Sequence, residues 1–224
     1  MKKITLSSIV LLAVIFITGL SSCAKPGAKS SVNKAKVSFV HASKNTGTLD
    51  FYLDGTKENS SPIAYQGATG YTVIASGSHT IMATIDATSA SLIDTTVNLA
   101  GNTPYSVFVL DTAPNISALI LNDSLAAPPS GMANIRIVNA VPNSPAFNIA
   151  ISGGGRTLAT NLSFKGNGGY VAVTPGSIAI QVSLTAGGTV TTFPAINFAS
   201  GKGYTLCITG IYGQGLSPLV IENF

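Results

Sequence analysis

The most constraining feature of the sequence is an internal duplication that covers most of the chain after its first thirty residues. Residues 35–42, AKVSFVHA, align with residues 133–140, ANIRIVNA, about 98 positions later. The alignment continues from residues 49–55 to residues 147–153 and slips by about one residue over the whole repeat. A repeat of about 90 residues has the size of a small domain. The sequence therefore predicts one fold that is formed twice.

Each repeat alternates apolar and polar residues with a period of two, which is typical of strands buried on one side. In the first repeat, Leu49, Phe51 and Leu53 share one face of such a strand. Gly, Pro, Asn and Ser separate these runs at intervals of roughly 8–15 residues, as turns between short strands require. No segment after the first thirty residues has a convincing helical period. The prediction is an all-β protein with two tandem immunoglobulin-like antiparallel β-sandwiches of about seven strands each.

A tyrosine follows a turn and opens a late apolar strand in each repeat, at Tyr105 and at Tyr204. This position resembles the tyrosine corner of immunoglobulin-like sandwiches, in which the hydroxyl group bonds the backbone of the turn. Neither repeat contains a tryptophan or an internal cysteine pair, which excludes antibody-type domains. Cys207 lies alone in a strand-like run, and we expect it to be a small buried residue rather than a reactive thiol.

The first residues are typical of a bacterial lipoprotein signal peptide. Two lysines precede an apolar run over residues 9–20, which is shorter than the roughly 20 residues of a membrane-spanning helix. The run ends in residues 20–23, LSSC, which resemble a lipobox with cleavage between Ser22 and Cys23. We expect the signal peptide, residues 1–22, to be removed and acyl chains on the Cys23 thiol to hold the protein on a membrane.

The remaining chain divides into a tether, two domains and a linker. Residues 23–34 are rich in Pro, Gly, Ser and Asn and predict a lipidated flexible tether. Residues 35–123 and 133–224 are the predicted sandwiches, and a Pro-rich linker joins them at residues 124–132. Signal removal lowers the formal net charge from +4 to +2, and without a basic patch nucleic-acid binding is excluded. Ala24 is not the aspartate of enterobacterial-type inner-membrane retention, so this resemblance favours the outer membrane, facing the periplasm or the exterior.

The opening of each repeat resembles the domain-of-unknown-function 4397 family. Domains of that family begin with a strand ending in His-Ala-Ser-Pro and continue into an alternating Asp-x-Tyr-x-Asp-Gly strand. Residues 37–55 of the first repeat are similar to this opening, with HAS at residues 41–43 followed by Lys44 rather than proline, and DFYLDG at residues 50–55. The second repeat departs from them, since Asn139 replaces the histidine and Asn148 and Ser152 replace the two aspartates. The resemblance implies an immunoglobulin-like sandwich in an exported, lipid-anchored protein, and it implies no assigned activity.

His41, Asp50 and Asp54 form the polar cluster that merits a test as a cation site. Calcium takes six to eight oxygen ligands and zinc needs more His or Cys than the chain offers, so no metal and no other cofactor is predicted. In the alternative interpretation, His41 is the bonded end of a strand, Asp50 faces solvent and Asp54 belongs to a hairpin turn. His79 is expected to flank a turn rather than to pair with His41.

No catalytic residue is predicted. Two histidines without a recognisable nucleophile elbow do not make a hydrolase triad, and residues 153–156, GGGR, lack the Lys-Ser/Thr of a phosphate loop. The leading hypothesis is a non-catalytic, lipid-anchored cell-envelope protein that presents two sandwiches for protein interaction or envelope structure. The alternative is a carbohydrate-binding module of a glycan-capture system, with Tyr52, Tyr65 and Tyr212 as candidate surface rings. An enzyme with an unrecognised site is the third hypothesis.

Overall fold

The computed structural model describes residues 33–223, which form sixteen β-strands and no helix. The strands of the first repeat are β1 (Lys34–His41), β2 (Leu49–Leu53), β3 (Thr56–Lys57), β4 (Thr72–Ala75), β5 (Gly77–Ile85), β6 (Ser91–Leu99), β7 (Pro104–Leu110) and β8 (Ser117–Asn122). Those of the second are β9 (Ala133–Asn139), β10 (Phe147–Ile151), β11 (Thr157–Leu162), β12 (Val171–Val173), β13 (Gly176–Leu184), β14 (Thr189–Phe198), β15 (Gly203–Ile211) and β16 (Gly215–Glu222). The predicted signal peptide, the lipidation site Cys23 and the tether up to residue 32 lie outside the described residues.

Each repeat has eight strands rather than the predicted number of about seven. The strand that the first repeat adds is β3, a return of two residues after a tight turn, and a segment that short cannot show an alternating pattern. None of the described residues belongs to a helix that could span a bilayer.

The strands of each repeat form two four-stranded sheets in the same order. We call β4-β1-β7-β8 and its counterpart β12-β9-β15-β16 the inner sheets, and β3-β2-β5-β6 and β11-β10-β13-β14 the outer sheets. Neighbouring strands run antiparallel, except that β1 pairs with β7 and β9 pairs with β15 in parallel. The repetition of one sandwich topology confirms the predicted pair of immunoglobulin-like sandwiches.

Apolar side chains fill the space between the inner and outer sheet of each repeat. In the first repeat, Phe39 of β1 stacks on Phe51 of β2 with ring centroids 5.1 Å apart. In the second, Phe198 of β14 meets the Tyr204 ring edge-on, also at 5.1 Å. Burying one such aromatic side chain contributes about 1.5–3 kcal/mol to folding, so each repeat has an apolar core of its own.

The predicted tyrosine corners are present in both repeats. The backbone N–H of Ala100 donates to the hydroxyl oxygen of Tyr105 at 3.1 Å, and the N–H of Ala199 donates to that of Tyr204 at 3.1 Å. Each bond fixes the turn that precedes the seventh strand of its repeat. The equal geometry shows that the duplication extends to single hydrogen bonds.

A third apolar cluster lies between the repeats, where the two inner sheets meet. Its buried members are Val40, Ala42, Phe108, Leu110 and Leu121 from the first repeat and Val138, Ala140, Cys207, Leu219 and Ile221 from the second. Because successive side chains of a strand point to opposite faces, an inner strand such as β1 is buried on both faces. The described chain is therefore a stack of four sheets in the order outer, inner, inner, outer. Cys207 is fully buried in this cluster, as predicted, and burial raises the pKa of its thiol.

Candidate functional site

His41 lies buried at the end of β1. Its Nε2 donates to the carbonyl oxygen of Gly47 at 2.7 Å, and its ring stands edge-on to Tyr65 with centroids 6.0 Å apart. Nδ1 is buried without a hydrogen-bond partner among the described residues. Burial lowers the pKa of His41, and the bond to Gly47 opposes this only in part. The side chain is therefore a neutral imidazole that braces the following loop.

The interpretation of Asp50 as a solvent-facing residue is wrong, because only 4% of it is exposed. The hairpin after β2 folds two side chains over it: Lys57 Nζ lies 2.7 Å from Oδ2, and Asn59 Nδ2 donates to Oδ1 at 2.9 Å. Burial alone would raise the pKa of Asp50, but the hydrogen bonds from Lys57 and Asn59 outweigh it and lower the pKa.

Asp54 lies in the turn between β2 and β3, where it and Gly55 both have positive φ, at 48° and 78°. Its Oδ2 is 2.7 Å from Nδ1 of His79, and its Oδ1 accepts the backbone N–H of Thr80 at 2.8 Å. The bond with His79 is the main reason that the pKa of Asp54 is lowered. The other ring nitrogen of His79 donates to the carbonyl oxygen of Ala75 at 2.9 Å. His79 is thus the partner of Asp54.

The three residues of the predicted polar cluster consequently contact three different groups. Within residues 33–223, no three His, Cys, Asp or Glu side chains come close enough together to hold a metal ion.

The three candidate surface rings belong to different environments. Tyr52 is half-buried on an outer sheet of the first repeat. Tyr65 is half-buried beside His41, and its hydroxyl oxygen is buried. Tyr212, which is 37% exposed, lies in the turn between β15 and β16 and packs its ring 6.2 Å from that of Phe147. With Tyr65 turned inward and the others on separate repeats, they do not form one stacking platform for a sugar.

The most extensive polar arrangement in residues 33–223 joins the two repeats and was not predicted. Arg136 of β9 pairs through Nη2 with the Asp123 carboxylate, which follows β8, and their side chains are 4% and 0% exposed. Arg136 also donates from Nη1 to the carbonyl oxygen of Asn122 at 2.9 Å and from Nη2 to the Thr205 hydroxyl at 2.8 Å. The buried guanidinium is thereby surrounded by acceptors.

The carboxylate of this ion pair is equally well bonded. Asp123 Oδ2 accepts the hydroxyl groups of Tyr71 at 2.7 Å and Ser106 at 2.6 Å. Asn223, at the end of β16, donates from Nδ2 to the Tyr71 hydroxyl oxygen at 3.1 Å and accepts the Thr205 hydroxyl at 2.8 Å. We use the name inter-repeat network for the residues joined by these bonds, which are Tyr71, Ser106, Asp123, Arg136, Thr205 and Asn223. Burial and the Asp123 charge raise the pKa of Tyr71, so its hydroxyl remains a hydrogen-bond donor.

Two further contacts support the network. The Arg136 guanidinium lies 4.9 Å from the centroid of the Tyr170 ring, a cation–π distance. At another part of the interface, Gln66 of the first repeat donates from Nε2 to the hydroxyl groups of Thr209 at 2.8 Å and Ser217 at 3.1 Å.

One sequence signal pointed to this network. In the alignment of the repeats, Arg136 stands where the first repeat has Ser38, in the middle of a strand that is otherwise apolar. A charge at such a position needs a buried partner. The partner, Asp123, lies at the end of the other repeat, and nothing local in the sequence identifies it.

An open cavity of about 430 Å³ adjoins the network at the start of β1. Its lining includes Lys34, Lys36, Tyr71, Val73, Pro104 and Asn223. We call it the lysine pocket.

The fold and the network define a tandem β-sandwich protein whose repeats share a buried interface. The family model described as "Domain of unknown function (DUF4397)" matches residues 35–150 and residues 133–224. The chain therefore belongs to the domain-of-unknown-function 4397 family and carries two copies of its domain. No curated protein sequence matches the chain.

Three solved structures are similar to parts of the chain at low TM-scores. A CBM26-family module of Eubacterium rectale Amy13K, crystallised with maltoheptaose, is 12% identical, with coverage of 85% of this chain and 97% of that one and a TM-score of 0.28. A DUF3823-family protein from Bacteroides ovatus is 12% identical, with coverage of 73% and 97% and a TM-score of 0.21. A candidate cell adhesion protein from Bacteroides uniformis is 14% identical, with coverage of 84% and 96% and a TM-score of 0.26. Likenesses this weak carry no information about a ligand.

Proposed function

We propose that this protein is a non-catalytic, lipid-anchored component of the cell envelope that presents its two repeats as one rigid module for protein interaction or envelope structure. The observation that carries the proposal is the buried interface between the repeats. Separating them would break the buried ion pair of Asp123 and Arg136 and the hydrogen bonds that surround it. The third apolar cluster would be exposed to water at the same time.

The engagement of the reactive side chains supports a non-catalytic role. His41 and His79 both bond groups that stabilise turns or strand ends. Cys207 is fully buried, which disfavours its thiolate. The buried carboxylates of Asp50 and Asp123 are held by Lys57 and Arg136. These groups serve packing rather than a shared reaction centre.

The lipid anchor is supported by the sequence of residues 1–23. Strand β1 begins at Lys34, eleven residues after Cys23. Eleven extended residues span at most about 40 Å. An acylated Cys23 would therefore keep the module close to the membrane surface, and the absence of an aspartate at position 24 favours the outer membrane.

Mass spectrometry of the protein purified from membranes tests the anchor. The expected amino terminus is a diacylglyceryl-modified Cys23, and Cys23→Ser should prevent acylation and processing and leave the full-length precursor. An unmodified amino terminus in the membrane-purified protein would refute the lipid anchor. Protease treatment of intact cells then establishes whether the module faces the exterior or the periplasm.

Crosslinking in intact cells tests the interaction role. Full-length chains with a photo-reactive residue at the exposed position of Asp94 or Asn98 on an outer sheet should each form a discrete adduct with an envelope protein. If photo-reactive residues were placed around the whole exposed surface and none formed an adduct, a protein-interaction role would be contradicted. A glycan array probed with the detergent-purified chain tests the carbohydrate alternative, and saturable binding there would replace the present proposal.

A further inference from the structure

We propose that the lysine pocket binds a small organic anion, in which a carboxylate or phosphate group is attached to an apolar or aromatic body. The site goes beyond the proposed module function and does not depend on it. The pocket lies beside the start of β1, and both repeats line it, since Asn223 belongs to the second.

The strand register brings the lining residues onto one face. Lys36 is the β-sheet partner of Val73 on one side and of Pro104 on the other. Lys34 lies two residues before Lys36 on β1, so its side chain points to the same face. Tyr71, immediately before β4, and Asn223, immediately after β16, also line the pocket. Two ammonium groups therefore stand beside an apolar wall.

The positive charge of the pocket is not neutralised by the carboxylates around it. Lys34 and Lys36 form no ion pair with any residue from 33 to 223, whereas Lys57 and Lys202 do. Two acidic groups adjoin the lining, since Glu222 precedes Asn223 in the chain and Asp123 accepts the Tyr71 hydroxyl group, and both are already engaged. Glu222 pairs with Lys202 at 2.6 Å, and Asp123 is paired with Arg136. Within residues 33–223, an anion entering the pocket would meet two cations and no unpaired carboxylate.

The apolar part of the ligand is indicated by Val73. It is 53% exposed, the most exposed of the large hydrophobic side chains in residues 33–223. A cavity of about 430 Å³ lies in the range of 300–1,000 Å³ that is usual for small-molecule sites. Asn102 and Thr103 also line it and supply an amide and a hydroxyl group for the polar end of a ligand. The combination suits an amphipathic acid better than an inorganic ion.

The second repeat lacks the two lysines and the exposed valine at the equivalent place. Its sequence has Met132 and Asn134 in place of the two lysines and Ala172 in place of Val73. Asn134 is 7% exposed, and its amide group bonds the linker carbonyl of Ala126 at 3.5 Å. A cavity of about 440 Å³ also lies beside Met132 and Ala172, so a hollow at this place belongs to the shared fold. What distinguishes the first repeat is the pair of lysines and the exposed valine that line its cavity.

The test measures binding of phenyl phosphate and phenylacetate to the full chain in a neutral detergent, with benzyl alcohol as the uncharged probe. Saturable binding is expected for the two anions and not for the alcohol, and it should weaken as salt screens the lysines. Lys34→Gln and Lys36→Gln should each weaken binding about tenfold, the equivalent of one charge-assisted hydrogen bond. Val73→Ser should cause a smaller loss.

Lys44→Gln is the matched control, because it makes the same charge change outside the pocket and should leave binding unchanged. The proposal is overturned if neither anion binds saturably, if benzyl alcohol binds equally well, or if the two pocket variants behave like the control. Mixed micelles identify the natural source of the anion. Competition by phosphatidylglycerol but not phosphatidylcholine assigns the site to a lipid head group, and absence of competition assigns it to a free acid.

Discussion

The two repeats share every sheet pairing but differ at the face by which they meet. At one position on this face the first repeat has Ser38, whose hydroxyl oxygen is buried without a partner, and the second has Arg136. At another, the first repeat has Asp123 and the second has Asn223. Each of these two positions is therefore charged in one repeat and uncharged in the other. The two charged residues, Arg136 and Asp123, form the single buried ion pair between the repeats. The topology is thus set by what the repeats have in common, and their association by where they differ.

The repeats also differ at the end of their first strand, where the first repeat has His41 and the second has Asn139, but here the two residues perform the same role. The backbone N–H of His41 donates to Gly67 O at 2.9 Å, and that of Asn139 donates to Gly166 O at 3.0 Å. The Asn139 side chain also satisfies its neighbours, since Oδ1 accepts the Val141 N–H and Nδ2 donates to Leu162 O, both at 3.0 Å. Because both residues brace the same loop, the histidine of the family motif has a structural role that an amide can perform.

The largest expected effect on stability comes from replacing Arg136 with serine, the residue that the first repeat has at the equivalent position. Arg136→Ser leaves the Asp123 carboxylate buried without its cation, and the free energy of unfolding should fall by about 3–5 kcal/mol. Adding Asp123→Asn should recover part of this loss, because no charge remains to be buried. Urea titrations of the single and double variants measure both values, and purely additive losses would argue that the pair is not coupled.

A loss of similar size is expected from Phe108→Ala, which removes a fully buried ring from the cluster between the repeats. Truncating a buried phenylalanine costs about 3–5 kcal/mol. Since the cluster belongs to both repeats, the variant should still unfold in a single transition at a lower urea concentration. Two separate transitions would indicate that each sandwich is stable without the other. Phe51→Ala, within the core of the first repeat, provides the matched comparison.

A smaller effect separates the two tyrosine corners. Tyr105→Phe and Tyr204→Phe each remove one hydrogen bond, which contributes about 0.5–1.5 kcal/mol. The loss should be greater for Tyr204, which is 6% exposed, than for Tyr105, which is half-buried. Thermal unfolding of the two variants gives the ranking. A greater loss for Tyr105→Phe would contradict burial as the cause of the difference.

The smallest effect is the pH dependence contributed by His41. Its pKa in the folded protein lies below the ordinary value of 6.5, so the unfolded chain binds the proton more readily. Its contribution to stability is complete above about pH 6.5 and is lost as the pH falls towards the lower folded pKa. The carboxyl groups of Asp50 and Asp54, whose pKa values are also lowered, lose their contributions only below about pH 4.

Replacing the histidine by the residue of the second repeat isolates this contribution. His41→Asn should reduce the difference in unfolding free energy between about pH 7.5 and pH 5.5. Urea titrations at the two pH values measure it. If the variant kept the full pH dependence of the wild type, the dependence would have to come from another group.

The sequence was sufficient for features that depend on local pattern. The period of two and the turn residues predicted the strands, and the placement of Tyr105 and Tyr204 predicted the hydroxyl bonds. The burial of Asp50 was missed because it depends on Lys57 and Asn59 folding back across a hairpin. The ion pair was missed because Arg136 and Asp123 meet only after the repeats pack together, and alternation within a strand carries no information about that packing.

The third apolar cluster has a consequence for how the chain matures. Polypeptides emerge with their amino terminus first, so the first repeat is complete while the second is still unmade. Until the second repeat has folded, the surface formed by Val40, Phe108 and Leu121 is apolar and exposed to water. During that interval the exposed apolar surface makes the nascent first repeat prone to aggregation. A chain that stopped after residue 123 would keep this surface exposed, and we expect chaperones and proteases to recognise it.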